Sequence, residues 1–570
     1  MMPIESQTTS RSDSAALPWP SLFDWLAALI IALLAFTLEA YVATAIGRTH
    51  SLAYDGLGYA AHARVQYFQL GSLLHHPVQY LSGFFNFIAG LWSAFLVLTF
   101  AIAGVGEVQS FFGWFWYLFF LLLLVIWIAR VIGGRMIAVI LAVFTALLPL
   151  SSPMLALAIS YQLGLDWRDV MEANLADSRP DPLAHVFMLW SVVPLLLHGR
   201  DARAMTFVVT AIAAAASVLT KGTTAPLTVG CWGLAMLYIV WLQRDRLRQV
   251  MVWVAFGGLS FVVVLMPWAG AGGLRAVLDY VRLTYSWAPL YMRGGDVSKF
   301  IHFPFPHYFL MFQYYFTWPV VALMLVVAAL GTINIWRGSD WAIQTLLGGL
   351  ALVAVGILLP LFFVTLRTHF YGIPLYLMLW LYVVASGGVL WRRFASGMPA
   401  RAWAAGALAV VCTATVGTAL LGARTWPQDD LHRLLDGRQL IEQIAADIKT
   451  QLTVRDTFAG LVLASGWPLI LQFHMTTDST GYPASFRFWP PDGPAIDSDH
   501  DARRRFIADL EVQAKLIITF KEPPEKVYRQ AGMSEFWLPH FNAIHEYLHS
   551  SRSRYRPVRE YVFPEPGRLF

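Results

Sequence analysis

Cysteine and lysine are scarce in this chain, and charge of either sign is thin. The two cysteines, Cys231 and Cys412, both fall inside apolar runs, so neither a disulfide framework nor a cysteine-based metal site can be built, and the redox compartment stays open. Before residue 424 lysine occurs only as Lys221 and Lys299, while arginine does the loop work. Charged residues make up 13% of the 570 positions against 57% hydrophobic and 15% aromatic, which excludes an ordinary water-soluble globule. No P-loop, G-x-S-x-G elbow or Rossmann fingerprint occurs, which argues against ATP-driven transport, serine hydrolysis and dinucleotide chemistry. No internal repeat suggests the inverted halves of a transporter. The net charge of +5 is scattered over short loops and makes no case for nucleic acid.

What is present is a series of apolar segments of close to 20 residues, each enough to cross a hydrocarbon core of about 30 Å as a helix. They fall near 22–41, 81–104, 111–129, 136–150, 183–197, 204–220, 224–242, 250–269, 316–336, 343–365, 373–391 and 402–421. Residues 1–20 have no basic stretch followed by a small-residue cleavage site, so they read as a disordered cytoplasmic tail before an uncleaved first span. The short loops HGRDAR (198–203), QRDRLRQ (243–249), IWRGSD (335–340) and WRRFASGMPAR (391–401) carry the arginines, which the positive-inside rule places in the cytoplasm. The longer loops at 151–181, 270–315 and 366–372, and everything after 421, then share the opposite face. A cytoplasmic N-terminus and an outer C-terminus need an odd number of crossings, whereas the segments above are even in number. The region 79–110 is the expected source of the conflict, as a non-spanning or paired short element. The expected architecture is an all-α polytopic membrane domain of about 11–13 transmembrane helices over 21–423, with an outer loop at 42–80.

From 424 to 570 the composition turns water-soluble. RTWPQDDLHRLLDGRQLIEQIAADIKTQL has the pattern of an amphipathic helix and AKLIITF (514–520) that of a strand, so an extramembrane α/β domain is expected there. Trp467, Tyr482, Phe486, Phe488 and Trp489 are candidates for stacking on a sugar, although packing explains most such aromatics.

Shortly after the first span, LAYDGLGYAAHARVQYF (52–68) places Asp55, Tyr59, His62 and Gln66 on one helical face. A segment too short to span, directly after one that does, is expected to lie along the membrane surface with this stripe toward protein or water. Spacing leaves Asp55 open between a helix N-cap and an acid/base group. LRTHFYGIPLYLMLW (366–380) sets Arg367, His369 and Tyr371 at the outer edge of a late span. Each alone reads as a snorkelling or interfacial side chain; together they could clamp a phosphate, which guanidinium binds bidentately. Lys221, in LTKGTTAPL, either reaches lipid phosphate from the outer end of its segment or anchors a helix. The loop from Asp166 to His185 gathers Asp166, Asp169, Glu172, Asp177 and Asp181 with Arg168 and Arg179. Most are solvated charges; Asp181, in RPDPL at the mouth of the next span, is the best placed to face a membrane-level cavity, and Asp177 comes second. No EF-hand or His-x-x-x-His spacing supports a metal there.

In order along the chain, these motifs resemble the GT-C integral-membrane glycosyltransferases, the branch of the protein O-mannosyltransferases and the aminoarabinose transferase of lipid A. The resemblance rests on Asp55-Gly-Leu-Gly-Tyr59-Ala-Ala-His-Ala after span one, on Arg179-Pro-Asp181-Pro-Leu followed by Leu219-Thr-Lys221-Gly222, and on Arg367-Thr-His-Phe-Tyr371-Gly-Ile-Pro374. It covers roughly residues 20–420. Gly56 stands where the family commonly has the second acid of a pair, and Leu74-His75-His76-Pro77-Val78 lacks the family's lysine.

The resemblance implies inverting transfer of a sugar from a polyprenyl-phosphate donor to an acceptor hydroxyl on the outer (periplasmic or extracellular) face of the plasma (inner) membrane, metal-independent or assisted by a divalent cation. Asp55 is then the base beside Tyr59. Arg367, Lys221, His369 and Tyr371 hold the donor phosphate, Asp181 orients the acceptor or helps bind a metal, and His62, Asp177 and Arg179 are secondary or acceptor-side residues. Partners are the donor, membrane lipids and an acceptor that is a lipid, glycan or protein. The competing readings are a flippase for a lipid-linked saccharide and a glycan ligase of another membrane fold.

Overall fold

The computed structural model describes residues 18–46, 55–164, 179–282, 312, 315–337, 340–361, 372–394, 398–426, 442–450, 456–460, 484–488, 500–513, 515–518 and 538–557. The first helix, α1 (Leu22–Ala45), has 24 residues and so rises roughly 36 Å. Five shorter helices follow: α2 (Asp55–Phe68), α3 (Ser72–His75), α4 (Pro77–Phe85), α5 (Gly90–Ala103) and α6 (Glu107–Phe111). The rest of the membrane part is α7 (Trp114–Gly133), α8 (Arg135–Leu147), α9 (Pro153–Gln162), α10 (Asp181–His198), α11 (Ala204–Thr220), α12 (Ala225–Leu242), α13 (Leu247–Gly270), α14 (Trp318–Trp336), α15 (Trp341–Leu361), α16 (Ile373–Phe394) and α17 (Met398–Arg424).

Among the described residues, eight helices are long and apolar enough to cross a membrane, and α8, α11 and the apolar part of α17 are shorter apolar helices. Side-chain contacts sort the ends of these eleven into two levels. At one level Arg130, ending α7, holds both oxygens of Asp24 in the first turn of α1 at 2.7 and 2.9 Å. There too Arg200 lies over Trp341, Gln243 donates to the Gly199 carbonyl at 2.8 Å, and Arg392 pairs with Asp340 at 2.9 Å. At the other level Glu39 accepts from the Met154 and Leu155 amides opening α9, Trp114 donates to the Ser151 carbonyl, and Thr425 donates to Gln162. The eleven helices alternate between these levels, and the arginine-bearing short loops gather at the first.

Of the two expectations for this region, a span at 81–104 and a non-spanning or paired short element within 79–110, the second describes it. It is two helices, α4 and α5, bent by 118°. The bend depends on Gly90, where a Cβ would lie 2.2 Å from the Phe84 carbonyl oxygen. The segment from α2 to α6 leaves α1 and enters α7 at the same level. It therefore makes no net passage between the levels, and among the described residues the helices that do pass between them are odd in number.

Within the bundle α7 is central. Residues Leu121 to Ala129 are fully buried on every face, as expected for a helix apolar all round. By contrast α13 is peripheral, with Phe256, Leu259, Val262, Val263 and Met266 exposed along it. Gly331 lets α14 approach α16, since a Cβ there would lie 2.4 Å from that of Ser386, the small-residue device of membrane helix packing.

Past α17, residues 442–450 are helical. Strands β1 (Asp456–Gly460), β2 (Ala484–Phe488) and β3 (Leu516–Ile518) form a parallel sheet in the order β2-β1-β3. Parallel strands need crossover connections. Between β2 and β3 runs α18 (His500–Gln513), which meets α19 (Leu538–Leu548) through Arg503 on Glu546 and Tyr547 on Glu511. The strand expected near 514–520 is β3. Phe486 and Phe488 are in β2, paired with Phe458 and Gly460; Trp467, Tyr482 and Trp489 lie outside the described residues.

Candidate functional site at one end of the bundle

The polar cluster that could do chemistry lies at the level away from the arginine loops. α10 opens on Asp181-Pro182, with proline in the first turn, where its missing N–H costs nothing, and an acid where the helix dipole favours one. α11 ends at Thr220, and Lys221 follows in extended conformation before the turn Gly222–Thr224. That turn is held by the Lys221 amide on the Ser217 carbonyl at 3.0 Å and by Thr224 Oγ1 on the Lys221 carbonyl at 2.7 Å. Because α10 and α11 run antiparallel, the start of one meets the end of the other, and Lys221 Nζ donates to Asp181 Oδ1 at 2.5 Å. The two side chains are 14% and 12% exposed. A pair this buried persists only because each charge has the other.

α2 brings Tyr59 to the pair, its ring centroid 6.0 Å from Lys221 Nζ, within cation–π reach. One turn on, His62 stacks on Phe87 at 3.9 Å and its Nδ1 bonds to Ser93 Oγ at 3.1 Å. Burial pushes the His62 imidazole down to about 4 from its ordinary 6.5, against a smaller upward pull from the Gly83 backbone, so the ring is neutral at pH 7. Phe87 and Ile88 form the tip of the α4–α5 bend. The Phe87 carbonyl accepts from Trp268 Nε1 at 3.1 Å, and the Ile88 carbonyl accepts from the Gly222 amide at 2.8 Å. The tip of the bent hairpin is thus bonded to the turn that carries Lys221. Gly222 is needed there: a Cβ would lie 2.2 Å from Val277 Cγ2 and 3.1 Å from Trp268.

Of the residues singled out from sequence, Tyr59, Lys221 and Asp181 come together, with His62 next to them across Phe87. Arg179 is within electrostatic reach of Asp181. Gln66, the far end of the stripe, is buried against Gly83, and its carbonyl accepts from Tyr80. Asp55 is the first residue of α2, one turn before Tyr59. Asp177, Arg367, His369 and Tyr371 lie outside the described residues. Among the described residues no three His, Cys, Asp or Glu side chains gather to hold a metal. The carboxylate of Asp181 is engaged by Lys221 through Oδ1.

Sequence reasoning missed Phe87, Trp268 and His185. His185 carried a usable signal, since it stands four residues after Asp181 on the same helix face. Phe87 and Trp268 act through a backbone carbonyl and an indole N–H brought together from distant parts of the chain, which no local spacing announces.

No family model matches the chain, and no curated protein matches it either. Among solved structures, it is similar to ArnT from Cupriavidus metallidurans bound to undecaprenyl phosphate, at 14% identity and a TM-score of 0.47 over 86% of this chain and 89% of that one. The apo state of ArnT gives 14% and 0.46 over 89% of this chain and 91% of that one. These values describe a loose likeness in shape; neither a family nor an activity follows from them.

Proposed function

We propose that this chain is a membrane glycosyltransferase that moves a sugar from a polyprenyl-phosphate donor to an acceptor hydroxyl. The observation that carries the reading is the ammonium of Lys221, fixed by Asp181 at one end of the bundle beside Tyr59. An ammonium has three donors; one is spent on Asp181, leaving two for phosphate oxygens. Such a group stabilises charge developing on a departing phosphate without needing to reorganise.

Asp55 begins α2 one turn before Tyr59, an axial rise of about 6 Å, and the base role is assigned to it from its place in the sequence motif. In the proposed step the acceptor oxygen attacks the anomeric carbon as its proton passes to Asp55. The carbon–oxygen bond to phosphate breaks with inversion, and polyprenyl phosphate leaves against Lys221, with Arg367, His369 and Tyr371 assigned to the same phosphate from their sequence motif. Asp181 then acts through Lys221 rather than on the sugar. The positive-inside rule puts the arginine level in the cytoplasm, and hence this site, with the 424–570 region, on the outer face of an inner membrane.

The reading is tested by thermal stabilisation of the purified protein with a long-chain polyprenyl monophosphate. Wild type is expected to be stabilised in a concentration-dependent way, and Lys221→Met to lose the response. Equal stabilisation of both proteins would remove Lys221 from phosphate binding.

A further inference from the structure

Two buried side-chain atoms beside the Lys221–Asp181 pair have no hydrogen-bond partner among the described residues: Asp181 Oδ2 and His185 Nδ1. Asp181 is 9% and His185 5% exposed. They sit four residues apart on α10, so their side chains stand one turn above the other with Cβ atoms about 5–6 Å apart, and each is within electrostatic reach of the other and of Lys221. A buried polar atom without a partner is costly, and native interiors keep few of them. The neighbouring hydroxyls are spoken for. Ser217 Oγ donates to the Ala184 carbonyl at 2.8 Å and lies 2.8 Å from Thr228 Oγ1, while Thr224 Oγ1 donates to the Lys221 carbonyl.

A single water, which needs two to four polar partners, would satisfy both atoms at once. We propose that His185 is a positioning residue for the Lys221–Asp181 pair, joined to Asp181 Oδ2 through one buried water. The carboxylate is then held at both oxygens, by Lys221 on Oδ1 and by the water on Oδ2, and cannot swing about its terminal torsion and carry the ammonium out of line. The kinetic consequence rests on the transferase reading; the consequence for stability does not.

The test uses His185→Asn, His185→Gln and His185→Phe in the full chain. Asn places its amide where the ring carries Nδ1, Gln reaches the Nε2 position, and Phe keeps the shape alone. Phe and Gln are expected to raise the donor KM about tenfold with kcat within about twofold, and Asn to stay within about threefold of wild type. A residue that served only to fill space would show the reverse order, with Phe the mildest. Independently of any substrate, the loss of thermal midpoint caused by His185→Phe should shrink when Asp181→Leu and Lys221→Met are already present. The proposal is overturned if Phe matches wild type in KM, if all three variants are equally impaired, or if His185→Phe costs the same stability in both backgrounds. If wild type shows no transfer, the transferase reading fails and the stability coupling alone decides the role of His185.

Discussion

Replacing Lys221 by methionine keeps most of the side-chain volume and removes the charge, leaving Asp181 stranded in a site where its side chain is 12% exposed. The gross attraction lost is about 4 kcal/mol for unit charges 4 Å apart at an effective dielectric constant of about 20. Measured losses on breaking a buried pair from one side run at about 3–5 kcal/mol, because the remaining charge is left uncompensated. Lys221→Met and Asp181→Leu should therefore each lower the thermal midpoint in detergent clearly. The double variant, with no charge left to bury, should recover most of the loss, since apolar replacement of a buried pair is often neutral or stabilising. Binding of polyprenyl monophosphate should not recover with it, because the ammonium is still gone. Stability and binding thus separate in one set of four proteins. If the two single losses simply add in the double variant, Lys221 and Asp181 do not act as a unit, and the account of the site is wrong.

Gly90→Ala puts a methyl group 2.2 Å from the Phe84 carbonyl oxygen, a backbone atom that cannot step aside; it should cost about 3 kcal/mol or more and disturb the α4–α5 bend, read as a lower thermal midpoint and weaker lipid-phosphate response. For His62 the folded state favours the neutral ring, held down to about 4 against 6.5, so the unfolded chain binds more protons between these values. Its stabilising effect is whole above pH 6.5 and is lost as pH falls toward 4, by at most about 3.5 kcal/mol. A midpoint-versus-pH curve should be flatter over that window for His62→Asn, and an unchanged slope would contradict the burial argument. Arg130→Gln strands the fully buried Asp24 at the opposite end of the bundle and should cost about 3–5 kcal/mol. It should leave the affinity of the folded protein for polyprenyl monophosphate unchanged, as measured by titration below the melting range.

Much of the bundle was legible because hydropathy and the positive-inside rule act segment by segment. The arginines of 198–203, 243–249 and 391–401 do gather at one end. The 81–104 run is also instructive: the parity of the loops pointed to a paired short element there, but the close approach of Gly90 to a carbonyl six residues earlier is a tertiary constraint that hydropathy does not contain. At the site, the stripe Asp55, Tyr59, His62, Gln66 was readable from helical periodicity, and Tyr59 and His62 do face the cluster. That Lys221 and Asp181 form one ion pair was not readable. Forty residues separate them, and only the antiparallel run of α10 and α11 brings a helix start against a helix end. The bonds from Gly222 and Trp268 to the hairpin tip were hidden for the same reason, since backbone carbonyls carry no sequence signature.

The most direct test is sugar transfer itself. Wild type and Asp55→Asn, purified and reconstituted, are incubated with polyprenyl-phosphate-linked sugars and candidate acceptors, and release of polyprenyl phosphate together with glycosylated product is followed. Product and released phosphate are expected from wild type, and neither from a folded Asp55→Asn variant that still binds polyprenyl monophosphate through Lys221. Transfer retained by Asp55→Asn would contradict the assignment of the base, and movement of the intact donor across the bilayer without any product would contradict the transferase reading altogether.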